Sequence, residues 1–159
     1  GYKVIVITNQ AGVARGYYTE ADVKILHDYM NEVLGRDGAH VDAFYYCPHH
    51  PEHGIGIYKK KCHCRKPETG MFEMAERDLT EGIDKMHSYM IGDKRIDAQA
   101  GKNFGVTGVL VGTGYGAKEH AEDMAAGLIK EDGSCPAGGY DVYADTLLDA
   151  VRGILGGRI

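Results

Sequence analysis

Tryptophan is absent from these 159 residues, and only four prolines, four cysteines and three phenylalanines occur. No apolar run approaches the roughly 18–20 residues that span a bilayer; the longest aliphatic run is Val4–Ile7. A basic excess is also missing. Lys and Arg total 18 against 23 Asp and Glu, a formal charge of −5, so the cationic face that a phosphate-backbone binder needs is not provided. No basic leader followed by a signal-type apolar stretch opens the chain. Together these absences set the expectation of a cytoplasmic monomer with neither nucleic acid nor membrane as partner. Four cysteines in such a chain are expected as thiols or metal ligands, not disulfides. Glycine is plentiful, at 23 residues, which suits many tight strand-to-helix turns.

A chain of this length buries roughly 70% of its unfolded surface, enough for one core, so residues 1–159 read as one domain. Val4-Ile5-Val6-Ile7 is a β-branched run of the kind that forms a strand buried on both faces of a parallel sheet. Thr19-Glu20-Ala21-Asp22 is a capping signal, and Val23, Leu26, Met30, Val33 and Leu34 follow as one helical stripe ending near Gly35. Further strands are expected over 41–46, 88–91, 106–111 and 140–143. Helices are expected over 70–79, 94–104, 117–129 and 146–155, the last with Leu147, Leu148, Val151, Ile154 and Leu155 as its stripe. Strands alternating with helices predict an α/β fold with a parallel, three-layer, Rossmann-like sheet. Val4 is too early for a strand that belongs in mid-sheet, so the chain reads as the C-terminal portion of a longer protein.

Residues 47–67 carry no helical period but hold three of the four cysteines. Cys47-Pro48-His49 and Cys62-His63-Cys64 are two short-spaced pairs joined by a loop. Such pairs supply the four soft or borderline donors that close a tetrahedral structural site, and thiolates with a histidine select zinc. The expected ligands are Cys47, His49, Cys62 and Cys64, with His50 and His63 as the competing imidazoles.

Three short features lie at expected strand ends, where open parallel sheets place their ligands: Thr8-Asn9, Arg65-Lys66-Pro67, and Gly92-Asp93-Lys94 with Asp97. A hydroxyl, backbone N–H groups, a lysine and a carboxylate together suit a phosphoryl group and a magnesium ion.

Thr8-Asn9-Gln10-Ala11-Gly12-Val13-Ala14-Arg15-Gly16, Cys47-Pro48-His49-His50-Pro51, Cys62-His63-Cys64-Arg65-Lys66-Pro67 and Gly92-Asp93-Lys94 resemble the haloacid dehalogenase (HAD) superfamily, and within it the heptose 1,7-bisphosphate phosphatases. The resemblance covers Val4 to about Gly114. It implies hydrolysis of the 7-phosphate of D-glycero-D-manno-heptose 1,7-bisphosphate, a small phosphorylated sugar of heptose nucleotide and lipopolysaccharide synthesis, with catalytic Mg2+ and structural Zn2+. By resemblance, the Thr8 hydroxyl holds the transferring phosphoryl group and Lys66 neutralises its charge. Asp93 holds magnesium, and Asp97 supports the metal shell or Lys66. Asn9, Arg15, Arg65 and Lys94 match substrate positions, and Cys47, His49, Cys62 and Cys64 match the zinc ligands. The histidinol-phosphate phosphatases, which share the zinc pairs and the Arg-Lys-Pro block, are the alternative.

The resemblance also implies an Asp-x-Asp motif upstream of the Thr-Asn-Gln block, whose first carboxylate becomes an aspartyl-phosphate. No Asp-x-Asp occurs in this chain. The expectation is therefore an N-terminally truncated HAD fold whose nucleophile lies upstream and which is inactive alone. A non-catalytic, zinc-stabilised fragment is the reading from another class.

Overall fold

Ile5–Asn9 (β1) pairs in parallel with Ala43–Cys47 (β2), in a register running from Ile5 opposite Ala43 to Asn9 opposite Cys47. The computed structural model describes residues 1–159, which divide into two compact units, 1–80 and 81–159. In the first unit β1 has β2 as its only ladder partner, and it is half-buried along its whole length instead of enclosed on both faces. One helical turn, Ala11–Ala14 (α1), and a 16-residue helix, Glu20–Gly35 (α2), connect the two strands. The Thr19 hydroxyl accepts from the Asp22 N–H while the Asp22 carboxylate accepts from the Thr19 N–H, so both ends of a capping box are made.

The buried face of α2 is not the large-apolar stripe that the periodicity predicts. Val23 and His27 are buried, whereas Leu26 is 51% exposed and Val33 38%. The helix is turned so that positions 23, 27, 30 and 34 face inward, because the His27 ring stacks on Phe44 of β2 at 4.3 Å. β2 also begins two residues later than Val41. Asn31 bonds the Val41 N–H (2.7 Å) and C=O (3.0 Å) with its side chain, which takes both groups out of the ladder. Gly70–Asp78 (α3) closes the unit, with Met71, Phe72 and Ala75 in its core.

In the second unit Tyr89–Gly92 (β3), Thr107–Val111 (β4) and Val142–Ala144 (β5) form a parallel sheet in the order β3-β4-β5. Arg95–Phe104 (α4) crosses from β3 to β4 and ends on Gly105, whose φ of 97° only glycine adopts freely. The helix lies close against its sheet, since a Cβ at Gly108 would meet the Ala98 carbonyl at 2.7 Å. Leu110 is fully buried beneath it, beside Ala98, while Val109 is fully buried on the opposite face of the sheet against Ala150. Ala117–Ala125 (α5) stops short of the expected Ile129 because Gly127 turns the chain at φ 67°. Tyr140 does not enter the last strand; it bridges back to Cys135 in a small antiparallel contact. The closing helix, Leu147–Leu155 (α6), buries Ala150 and Gly153, while Leu147, Leu148 and Leu155 are exposed. Small residues let the helix approach, and Ile159 packs where a Cβ at Gly153 would stand. No helix is long and apolar enough to cross a membrane.

Candidate active site and metal centre

The C-terminal end of β1 delivers Thr8 and Asn9 together. Asn9 spends its amide on a residue 57 positions away: its Oδ1 accepts from the Lys66 N–H at 3.0 Å, and its Nδ2 donates to the Lys66 carbonyl at 3.2 Å. Lys66 is thereby fixed at both of its backbone groups. Its side chain is buried, with Nζ donating to the Ile7 carbonyl at 2.7 Å. An ammonium withdrawn from water is costly unless hydrogen-bonded or paired with a negative charge, and the Ile7 carbonyl supplies one such hydrogen bond. The Thr8 Oγ1 accepts from Gln10 Nε2 at 3.3 Å, and Tyr18 OH holds the other end of that amide at 2.6 Å. Arg65 donates to the His49 carbonyl at 3.1 Å, whereas Arg15 projects from the C-terminal end of α1 into solvent.

Cys47 ends β2, and the Cys62–Cys64 turn meets it. The sulfur atoms stand 3.4 Å (Cys47–Cys62), 3.0 Å (Cys47–Cys64) and 3.2 Å (Cys62–Cys64) apart, with His49 Nδ1 at 3.4 Å from Cys64 Sγ. All four donor atoms lie within 4.8 Å of one another. A zinc tetrahedron with bonds of 2.3 Å has edges of about 3.8 Å, so the tetrad needs only a small expansion to take the ion. Burial, followed by the neighbouring thiols, drives the Cys64 thiol far above its ordinary range, and burial also raises Cys47. A dication reverses that preference by stabilising thiolates. The other imidazoles are committed elsewhere. His50 Nδ1 accepts from the Glu52 and His53 backbones (3.2 and 3.0 Å), and His63 Nε2 meets Glu73 at 2.9 Å.

In the second unit, Asp93 and Lys94 occupy the turn between β3 and α4. Asp93 does not cap α4; the cap position is Lys94, with no side-chain cap of its own. Asp93 Oδ2 accepts from the Tyr115 N–H at 3.2 Å, and the Lys94 ammonium sits 4.3 Å from the Tyr115 ring centre. Asp97 is buried in the first turn of α4, against Gly92, where a Cβ would meet its Oδ2 at 2.7 Å. Asp93 thus offers an oxygen ligand of the type magnesium prefers.

Sequence reading missed the partners of these groups. Glu20, read only as part of the capping signal that opens α2, accepts from Tyr46 OH at 2.7 Å and Tyr58 OH at 2.8 Å. Those hydrogen bonds hold the Glu20 carboxyl below its usual range and push Tyr46 up to about 12. Spacings of 26 and 38 residues leave no local pattern to find.

A family model described as HAD-hydrolase-like matches residues 63–132. The D-glycero-beta-D-manno-heptose-1,7-bisphosphate 7-phosphatase of Haemophilus ducreyi is 46% identical over 127 residues, covering 79% of this chain and 68% of that protein. The D-glycero-alpha-D-manno-heptose-1,7-bisphosphate 7-phosphatase of Burkholderia mallei is 48% identical over 111 residues, covering 70% and 58%. Among solved structures, D,D-heptose 1,7-bisphosphate phosphatase from B. bronchiseptica, complexed with magnesium and phosphate, superimposes with a TM-score of 0.75 at 32% identity, covering 98% of this chain and 75% of that one. The chain thus spans only part of the length of these two sequence relatives, 68% of the first and 58% of the second.

Proposed function

The chain belongs to the HAD-like phosphatases, alongside the heptose 1,7-bisphosphate 7-phosphatases, and from that premise we propose that it carries most of the site of a magnesium-dependent sugar-phosphate phosphatase. The substrate is D-glycero-D-manno-heptose 1,7-bisphosphate, and the phosphate removed is that on C7. The observation that carries this reading is the Asn9–Lys66 clamp, which holds a buried ammonium at the strand end that also bears Thr8.

In this mechanism a phosphoryl group leaves the sugar oxygen for an aspartate carboxylate, and water then releases it as inorganic phosphate. The attacking aspartate comes from a segment outside these 159 residues. Lys66 neutralises the phosphoryl oxygens, and Thr8 donates its hydroxyl to one of them. Arg15, Arg65 and Lys94 bind the remainder of the anionic substrate. Asp93 holds the magnesium ion, which supplies charge neutralisation when bound. Cys47, His49, Cys62 and Cys64 hold zinc, which braces the loop carrying Arg65 and Lys66 and takes no part in bond breaking.

The test is phosphate release by the full-length protein with Mg2+, with product position read by 31P NMR. The expected product is the 1-phosphate. Lys66→Met is expected to lower kcat by about 10²–10³-fold, the usual cost of one oxyanion-stabilising donor. Loss of the phosphate on C1 instead, leaving the sugar 7-phosphate, or near-normal turnover by Lys66→Met, contradicts the proposal.

A further inference from the structure

Asp93 and Lys94 do not hold their own geometry. Lys94 occupies the cap position of α4 without a capping side chain, and the first N–H of that helix, on Arg95, is taken from the neighbouring helix: it donates to Glu119 Oε2 of α5 at 2.5 Å. The Arg95 side chain extends the same attachment. Its Nε donates to Asp123 Oδ2 at 3.0 Å, a terminal nitrogen meets Asp123 Oδ1 at 3.0 Å, and that nitrogen also reaches Glu122 at 3.2 Å. Asp123 is buried, so this two-point pairing is shielded from water and salt.

The loop leading into α5 completes the hold. Gly112–Gly116 leaves helical geometry at Thr113 and Gly114, and Gly114 has φ 61° and ψ −116°. There the backbone lies so close to Asp93 that a Cβ on Gly114 would overlap the Asp93 carboxylate. The next N–H, on Tyr115, donates to the same Oδ2, while the Tyr115 ring faces the Lys94 ammonium. Two neighbouring polar side chains are therefore fixed by different atoms of one loop, the carboxylate by backbone and the ammonium by an aromatic ring.

We infer that the Gly114–Tyr115 turn, anchored through Arg95 to Glu119 and Asp123, is a positioning element that sets Asp93 for the metal and Lys94 for the substrate. This rests on the phosphatase reading above. Gly114 and Tyr115 are positioning residues, and they act on different partners. Gly114 governs the carboxylate, through the space that its missing side chain leaves. Tyr115 governs the ammonium, through a cation–π contact that only an aromatic ring supplies.

The experiment uses full-length protein with Mn2+ as the metal probe, read by electron paramagnetic resonance, alongside steady-state kinetics on the sugar bisphosphate. Gly114→Ala is expected to weaken Mn2+ binding about tenfold. Tyr115→Leu is expected to raise KM about three- to fivefold with kcat within twofold, the range a surface cation–π contact supports, and to leave Mn2+ binding unchanged. Tyr115→Phe, which keeps the ring, restores KM. Arg95→Met loosens the anchor and moves both readouts, so a Gly114→Ala protein that does not fold leaves the inference open to refutation. Variants that lower thermal stability while Mn2+ binding and KM stay at wild-type values overturn it and make the loop merely structural. Asp93→Asn is the separate control: unchanged Mn2+ binding there sinks the assignment of Asp93 to the metal, whatever Gly114 and Tyr115 do.

Discussion

Replacing Asn9 by alanine isolates the clamp on Lys66. The substitution deletes two side-chain-to-backbone hydrogen bonds, at 3.0 and 3.2 Å. Each such bond contributes about 0.5–1.5 kcal/mol net, so the pair contributes about 1–3 kcal/mol. Lys66 is only 8% exposed, so water is poorly placed to replace both lost partners, and the upper half of that range applies. The expected loss is therefore about 2–3 kcal/mol. The assay is urea unfolding of the zinc-loaded protein followed by circular dichroism, where the midpoint should fall while the slope holds. Asn9→Asp is the informative companion. It keeps an acceptor for the Lys66 N–H but turns a second acceptor towards the Lys66 carbonyl, so it should recover less than half of the loss. Asn9→Ala with stability within about 0.5 kcal/mol of wild type, the range of ordinary surface substitutions, would refute the argument that this amide holds the strand end together.

Elemental analysis of protein prepared without chelators should give one zinc per chain, and removing the ion should lower the melting temperature; a metal-free preparation of equal stability contradicts the structural role. Cys64→Ala should mimic chelation, since that sulfur touches all three other donors. Glu20→Gln should flatten the pH dependence of stability at both ends. The Glu20 carboxyl is depressed, so its contribution is present above the ordinary carboxylate range and is lost as pH falls through its folded value. Tyr46 is raised to about 12, so its contribution is present below about pH 10 and is lost as pH rises through 12. Urea midpoints for wild type and variant that run parallel across both limbs count against the Glu20–Tyr46–Tyr58 cluster. Finally, the 159-residue chain should show no turnover of heptose bisphosphate with Mg2+, and turnover comparable to that of the full-length protein would place the nucleophile within these residues.

The alternation of strands and helices was legible because strand runs and capping signals are local. So were the Cys47/His49 and Cys62/Cys64 pairs, whose donors stand two residues apart and which the closed loop brings into one cluster. What periodicity could not settle was orientation. In α2 the inward face is chosen by His27 stacking on Phe44, a contact that an apolar scale scores against, and in α6 by Ala150 and Gly153, whose smallness permits close approach. The long-range polar partners were equally hidden. Asn9 with Lys66, Glu20 with two tyrosines, and the capping of α4 by Glu119 join residues from 24 to 57 positions apart, where sequence spacing carries no signal.

The parallel register of β1 and β2 sets Asn9 directly opposite Cys47, and the Gln10 N–H donates to the Cys47 carbonyl at 2.8 Å. A member of the candidate metal cluster and the clamp on Lys66 are thus neighbours across one ladder spacing of about 4.8 Å. A metal ion held by the Cys47–His49–Cys62–Cys64 cluster would be a fixed beacon beside the strand end that bears Thr8 and Asn9. Cobalt(II), which accepts the same tetrahedral sulfur and nitrogen donors, is paramagnetic, and its influence on nearby nuclei falls steeply with separation. Protein loaded with cobalt would therefore report, by the shifted and broadened resonances of Asn9, Gln10 and Lys66, how far each moves when an anion is added, with no label attached to those residues.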